Sequence, residues 1–260
     1  MGLDTPPVKD TIGNATIWRY MDLPRFVSVL ATGQLWFPKA ATLRDDPYEG
    51  FCNPPQRLDV QSATTGAQQL IAGVGKFAAE SCMNARDHLY VNSWCLGPES
   101  MAMWKIYGSQ SLGIAIKSSV DQYQRAARFN IPASHYAIGP VKYYNDLESS
   151  QDTQRDFRFS VPLSENLWNE VLKLAFNKRS CYEYETEWRA ALYQDARPET
   201  GVAINFDLEE LISAVYLGPR VEDFVFDAVL SMMDKFGLRK PLQRSVLLTR
   251  LLLTGRGACG

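Results

Sequence analysis

The segment YEYETEWR, Tyr182 to Arg189, carries the densest chemistry in the chain. Read as a β-strand, it alternates its side chains between two faces. Glu183, Glu185 and Glu187 then share one face, and Tyr182, Tyr184, Thr186 and Trp188 the other. Strand rise sets neighbouring carboxylates of such a pair ~7 Å apart. One carboxylate can hold a substrate hydroxyl or support positive charge in a transition state, while the other orients it or tunes its pKa. The competing reading is a solvated face whose glutamates pair with Arg189 and Arg179.

Three further segments hold chemistry-bearing residues. LRDDPYEGF places Asp45, Asp46 and Glu49 around a proline turn, where short acidic side chains cap the backbone or hold a cation such as Arg189. The loop has too few oxygen ligands for calcium. NSWCL and MAMWKIYG bring Ser93, Trp94, Trp104 and Tyr107. Aromatics at this density form core or wall a pocket for a flat ring. No Gly-x-Ser-x-Gly elbow surrounds Ser93, which weakens a serine nucleophile. In WRY, Arg19 sits between Trp18 and Tyr20, and arginine is seldom buried unpaired. It either snorkels at an edge or meets a phosphate or ribose. Neither a phosphate loop nor Gly-x-Gly-x-x-Gly is present.

The elements that would position these residues mix without steady βαβ alternation. TIWRYM, QLWFPKA, YVNSWCL, SLGIAIKSS, YAIGPVKYYN, YEYETEWRAALYQ, GVAINFD, AVYLG and QRSVLLTRLLL read as strands. LPRFVSVLATG reads as a helix capped by Asp22 and stopped by Gly33. Further helices are expected in residues 56–89 and in PESMAMWKIYG, VDQYQRAARF, LSENLWNEVLKLAFNK and VEDFVFDAVLSMMDKFGL. The pattern predicts an α+β fold, a mixed and mostly antiparallel central sheet flanked by helices. One globular domain is expected over 15–254, with a flexible lead-in at 1–14 and a tail at 255–260.

The 260 residues carry a formal net charge of -2, so nothing global points to nucleic acid or an anionic membrane. Cys52, Cys82, Cys95, Cys181 and Cys259 lack regular spacing, which suits reduced thiols in the cytoplasm. With only His88 and His135, no metal site is expected. No apolar run reaches the ~18 residues of a membrane helix, and the N-terminus lacks a signal-peptide core.

Taken together, TIWRYMDLPRFVSVLATGQLWFPKAATLRDDPYEG, NSWCL, MAMWKIYGSQSLGIAIK and NKRSCYEYETEWRAALY resemble the bacterial domain of unknown function 2971 family, in order, over most of 16–220. Asp45 stands for the usual Asn, Tyr48 for Phe, and Trp18 for a common Tyr. More remotely, the layout resembles ADP-ribosyltransferases of the diphtheria-toxin and DNA-targeting toxin type, although the usual Tyr-His-x-Thr opening is missing. This resemblance implies NAD as co-substrate and a role in a toxin or phage-defence effector. It aligns Arg19 with the opening position, Ser93 with the central one, and Glu187 with the catalytic glutamate, Glu185 preceding it. Tyr20, Trp94 and Trp104 would stack nicotinamide, and Arg19 would meet ribose or diphosphate. Arg19 and Glu187 must then lie on one side of the fold. The acceptor would be protein, nucleic acid or water. The alternative is a non-catalytic ligand- or partner-binding module whose Glu-x-Glu-Trp-Arg strand is an ion-pair network, capped by Arg189, Arg44 or Lys178. Retaining glycoside hydrolysis by two carboxylates ~5 Å apart is a third, weaker reading.

Overall fold

The computed structural model describes residues 14–43, 86–108, 112–130, 135–144, 167–194 and 200–248. The acidic loop with Arg44, Asp45, Asp46 and Glu49, most of 56–89, the lead-in apart from Asn14, and the tail lie outside them.

The chain opens with β1 (Thr16–Asp22) and turns directly into α1 (Leu23–Thr32). Asp22 accepts a hydrogen bond from the Arg25 amide, and Pro24 occupies the first turn. Gly33 closes the helix at φ 65, a left-handed conformation that favours glycine. β2 (Gln34–Pro38), β3 (Leu89–Leu96), α2 (Met101–Tyr107), β4 (Gly113–Ser119) and α3 (Val120–Ala126) follow. Then come β5 (Tyr136–Pro140), β6 (Lys142–Tyr144), α4 (Leu167–Leu174) and β7 (Asn177–Arg179). The remaining elements are β8 (Glu187–Tyr193), β9 (Gly201–Asn205), α5 (Leu208–Leu211), β10 (Ala214–Leu217), α6 (Asp223–Lys235) and β11 (Leu242–Arg244).

The fold is α+β, as the residue pattern predicts. Seven strands form one sheet in the order β11-β10-β4-β1-β3-β8-β5. Every pairing in it is antiparallel except β10 with β11. β2 pairs with β9, and β6 with β7, in two small ribbons.

The sheet buries its two faces differently. The main core covers one face with Phe26 of α1, Tyr123 of α3 and Val229 of α6, packed on Ile17, Met21, Trp94, Ile116 and Trp188. On the other face lie two smaller apolar clusters. One gathers Trp18, Tyr20, Cys95, Met103, Trp104 and Ala115 beneath α2. The other joins Leu89, Val91, Ala137 and Ala191 to Leu172, Leu174 and Ala175 at the end of α4. Between them, β3 and β8 carry Ser93, Glu187 and Arg189. The seam between two apolar patches therefore holds the polar groups of this face. All of β8 is buried, so its charged residues have had to find partners inside the protein.

Candidate functional site

The glutamate segment is not one continuous strand. Residues Ser180–Glu185 wind into a 3-10 helix, and β8 begins only at Glu187. Three carboxylates in file along one face would repel one another. The turn carries Glu183 to the exposed surface and leaves Glu185 and Glu187 buried. Thr186 joins the two elements at φ 46, ψ 53, a left-handed conformation unfavourable for a β-branched residue. Its amide donates to Glu183 O, and its carbonyl accepts from the Leu96 amide. Thr186→Gly is expected to stabilise the protein by about 0.5 kcal/mol, strain relief outweighing the added freedom of the unfolded chain. Urea unfolding measures this, and a loss of stability would show the joint to be unstrained.

Glu185 and Glu187 converge on one lysine. Lys178 Nζ donates to Glu185 Oε2 at 2.6 Å and to Glu187 Oε1 at 2.5 Å. Arg189 Nε donates to Glu187 Oε2 at 2.5 Å, and its Nη1 to the Ala175 carbonyl at 2.7 Å. Arg189 is completely buried, and Lys178, Glu185 and Glu187 are each less than a tenth exposed. The fourth carboxylate oxygen, Glu185 Oε1, accepts from the Tyr107 hydroxyl at 3.2 Å. Two carboxylates and two cations thus form a buried quartet at the seam.

Its two acids are driven apart. Burial raises the Glu185 carboxyl, and its hydrogen bond and repulsion from Glu187 add to this, outweighing Lys178 and taking it to about 7. For Glu187, burial also disfavours charge, but Arg189, the hydrogen bond from Glu185 and Lys178 together hold it well below the usual carboxylate range. A pair separated in this way can offer one group that titrates near neutrality and one that stays ionised.

Two residues not singled out as site residues from the sequence complete the surroundings. The Tyr143 hydroxyl accepts from the Glu187 amide at 2.8 Å. The Cys95 thiol donates to the Glu185 carbonyl, and burial beside Glu187 and Glu185 raises it to about 11, so it is a thiol at neutral pH. Tyr143 could have been suspected from the aromatic pair in VKYYN.

Of the other expected site residues, several share this face. Ser93 stands opposite Arg189 and is half-buried. Tyr20 and Trp104 meet edge to face at 5.0 Å, both buried. The Tyr20 hydroxyl accepts from the Ser100 amide, and Trp104 Nε1 donates to Glu99. They support the seam from beneath α2.

Arg19 and Trp94 do not join them. The period-two alternation of β1 groups Arg19 with Ile17 and Met21, which enter the main core, whereas Trp18 and Tyr20 face α2. Glu187 lies across from Cys95, on the α2 side. Arg19 and Glu187 are therefore on opposite faces of the sheet, and the requirement that they share a side is not met. β1 and β3 pair only at Ile17–Leu96 and Trp18–Cys95. Past that point the Arg19 guanidinium donates to the Ser93 carbonyl at 2.8 Å and lies 6.0 Å from the Trp94 ring. Burial lowers it to about 10, so it remains charged at neutral pH. Trp94 is a core residue: its Nε1 donates to Asn92 Oδ1, and its ring meets Tyr123 edge on. It cannot stack a ring held at the seam.

Among the described residues, no cluster of three or more potential metal ligands occurs. No helix among them is long and apolar enough to cross a membrane.

Residues 103–190 match the family model described as protein of unknown function (DUF2971). The model is that of the family the sequence resembles, matched over this stretch rather than over most of 16–220, and the stretch holds Trp104, Tyr107, Lys178, Glu185, Glu187 and Arg189. No curated protein matches the chain. Among solved structures, it is similar to Thermus sp. 2.9 DarT in complex with NAD+, at 12% identity over 90% of this chain and 96% of that chain, with a TM-score of 0.38. It is also similar to DarT from the same source in complex with ADP-ribosylated ssDNA, at 12% identity over 93% and 96%, with a TM-score of 0.39.

Proposed function

We propose that the seam beneath α2 is the reaction site of an NAD-consuming enzyme, which transfers ADP-ribose to an acceptor or hydrolyses NAD. The observation that carries this reading is the pair Glu185 and Glu187, buried together and driven apart in acidity. Breaking the nicotinamide–ribose bond sends its electron pair out with nicotinamide and leaves an oxocarbenium-like ribosyl cation. A carboxylate fixed in a water-poor site stabilises that charge and grips ribose hydroxyls. Protein, nucleic acid or water would then take the ribosyl carbon. Among the described residues, Ser93 and Tyr107 border the glutamate pair on this face. The expectation that Arg19 stands beside Glu187 fails, since Arg19 lies on the opposite face, and the site proposed here rests on the glutamate pair without Arg19 or Trp94. The biological setting proposed is that of a bacterial toxin or phage-defence effector acting in the cytoplasm.

One observation favours the alternative, a ligand- or protein-binding module with a structural ion-pair network. All four carboxylate oxygens already have protein partners, the longest contact being 3.2 Å. NAD binding separates the two. At roughly a hundredfold excess over its Kd, NAD is expected to raise the stability of the protein by about 2.7 kcal/mol, read as a higher melting temperature. A melting curve unmoved by millimolar NAD contradicts the enzymatic reading and leaves the network a structural one.

A further inference from the structure

We infer that Glu185, rather than Glu187, is the carboxylate that meets the substrate ribose, and that a ribose hydroxyl takes the place of the Tyr107 hydroxyl on Glu185 Oε1. This rests on the NAD-consuming reading above.

The two glutamates differ in what they can release. Glu187 lies within a strand hydrogen-bonded on both sides, to β3 and, through its carbonyl, to the Val141 amide. Its two oxygens are held by Lys178 and by Arg189, which is itself fixed on the Ala175 carbonyl. Turning Glu187 toward a substrate would break its contact with a completely buried guanidinium as well as leave the β8 ladder geometry that holds it. Glu185 lies outside the ladder, on the last residue of the 3-10 turn. Lys178 holds one of its oxygens at 2.6 Å. The other has the longest contact in the quartet, to a phenol.

That phenol is at the solvent boundary. Tyr107 is the last residue of α2 and 36% exposed. Tyr184, beside Glu185, is 49% exposed. Tyr107 thus lies at the edge of the network and can move aside with little loss of burial. If a sugar hydroxyl replaces it, one O–H donor is exchanged for another. The carboxylate is never left unpartnered, and the Lys178 contact persists. In the reaction, Glu185 in its ionised form accepts the hydrogen bond from the ribose hydroxyl. The ribosyl carbon–nitrogen bond breaks, its electrons leaving with nicotinamide. The acceptor's oxygen or nitrogen forms the new bond to carbon and gives its proton to solvent.

Steady-state nicotinamide release by the wild type, Glu185→Gln and Tyr107→Phe tests this. Glu185→Gln is expected to lower kcat by about 10²-fold or more, with a melting temperature near that of the wild type. Tyr107→Phe removes the competing hydroxyl, so kcat/KM is expected to rise about fivefold through a lower KM, the worth of one hydrogen bond. A purely structural tyrosine would instead lower the melting temperature without lowering KM. If Glu185→Gln releases nicotinamide at the wild-type rate, or Tyr107→Phe is as inactive as the glutamine variant is expected to be, the assignment falls while the enzymatic reading stands. If the wild type releases none, both fall.

Discussion

Replacing Arg189 by methionine is expected to lower the stability of the protein by about 3–5 kcal/mol, because Glu187 loses its second cation while remaining buried. The guanidinium is completely enclosed, and it links the Glu187 carboxylate to the carbonyl at the end of α4. Removing it deletes both connections. Among the described residues, the Lys178 ammonium would then be the cation left in contact with both carboxylates. Adding Glu187→Gln to the methionine variant should recover part of the loss, since an uncharged amide in the same place needs no counter-ion. Urea denaturation of the two single variants and the double variant measures the coupling. A loss below about 1 kcal/mol for Arg189→Met would show that the pair contributes little.

The second large effect concerns pH. Glu185 is raised from the ordinary value of 4.5 to about 7 in the folded protein. Between those values the folded state holds a proton that the unfolded chain has released. This contribution is complete below pH 4.5 and is lost as pH rises through 7. Glu187 has the opposite sign, because its folded carboxyl is depressed. Its contribution is present above about pH 4.5 and is lost as pH falls toward its folded value. Among the described residues, the groups facing this pair include Lys178, Arg189, Tyr107, Tyr143, Tyr184 and Cys95. The pair's joint contribution should therefore peak in mildly acid solution. It should decline by on the order of 2 kcal/mol from pH 4.5 to pH 7.5. Glu185→Gln should abolish that decline. Stability measured by urea at several pH values tests it, and a decline equally steep in the variant would assign the effect to other groups.

Much of the scaffold was legible because local signals were strong. Asp22, Pro24 and Gly33 delimit α1 by chemistry that needs no tertiary context. Thr16 to Asp22 and Leu89 to Leu96 announce strands through aromatic and β-branched residues. The break of YAIGPVKYYN into β5 and β6 falls just after its Gly-Pro pair. The last strand was expected to be longer. It has three residues before Ser245, and Val246, Leu247 and Leu248 are exposed.

The site was legible in composition more than in geometry. Glu185, Glu187 and Arg189 do come together, and Lys178 was anticipated as a cap. The alternation drawn through YEYETEWR fails at Thr186, because repulsion and burial are relieved by a turn that no period-two pattern encodes. Arg19 is misplaced for the reverse reason. There the period holds, and Ile17 and Met21 carry Arg19 to the core face with them. Which face of β1 looks toward Glu187 depends on the pairing of β1 with β3 and of β3 with β8, and a single sequence does not show that register. The contact between Tyr107 and Glu185 spans 78 residues, too far for any local pattern.

The central claim is that the glutamate seam breaks the nicotinamide–ribose bond. The most direct measurement is nicotinamide release from NAD by the purified wild type, with bacterial lysate supplying acceptors, beside Glu185→Gln at matched thermal stability. The account predicts release by the wild type and a loss of about 10²-fold or more in the variant. Absence of release from the wild type, with acceptors present and the fold intact by circular dichroism, would contradict it. The quartet would then be a buried structural network.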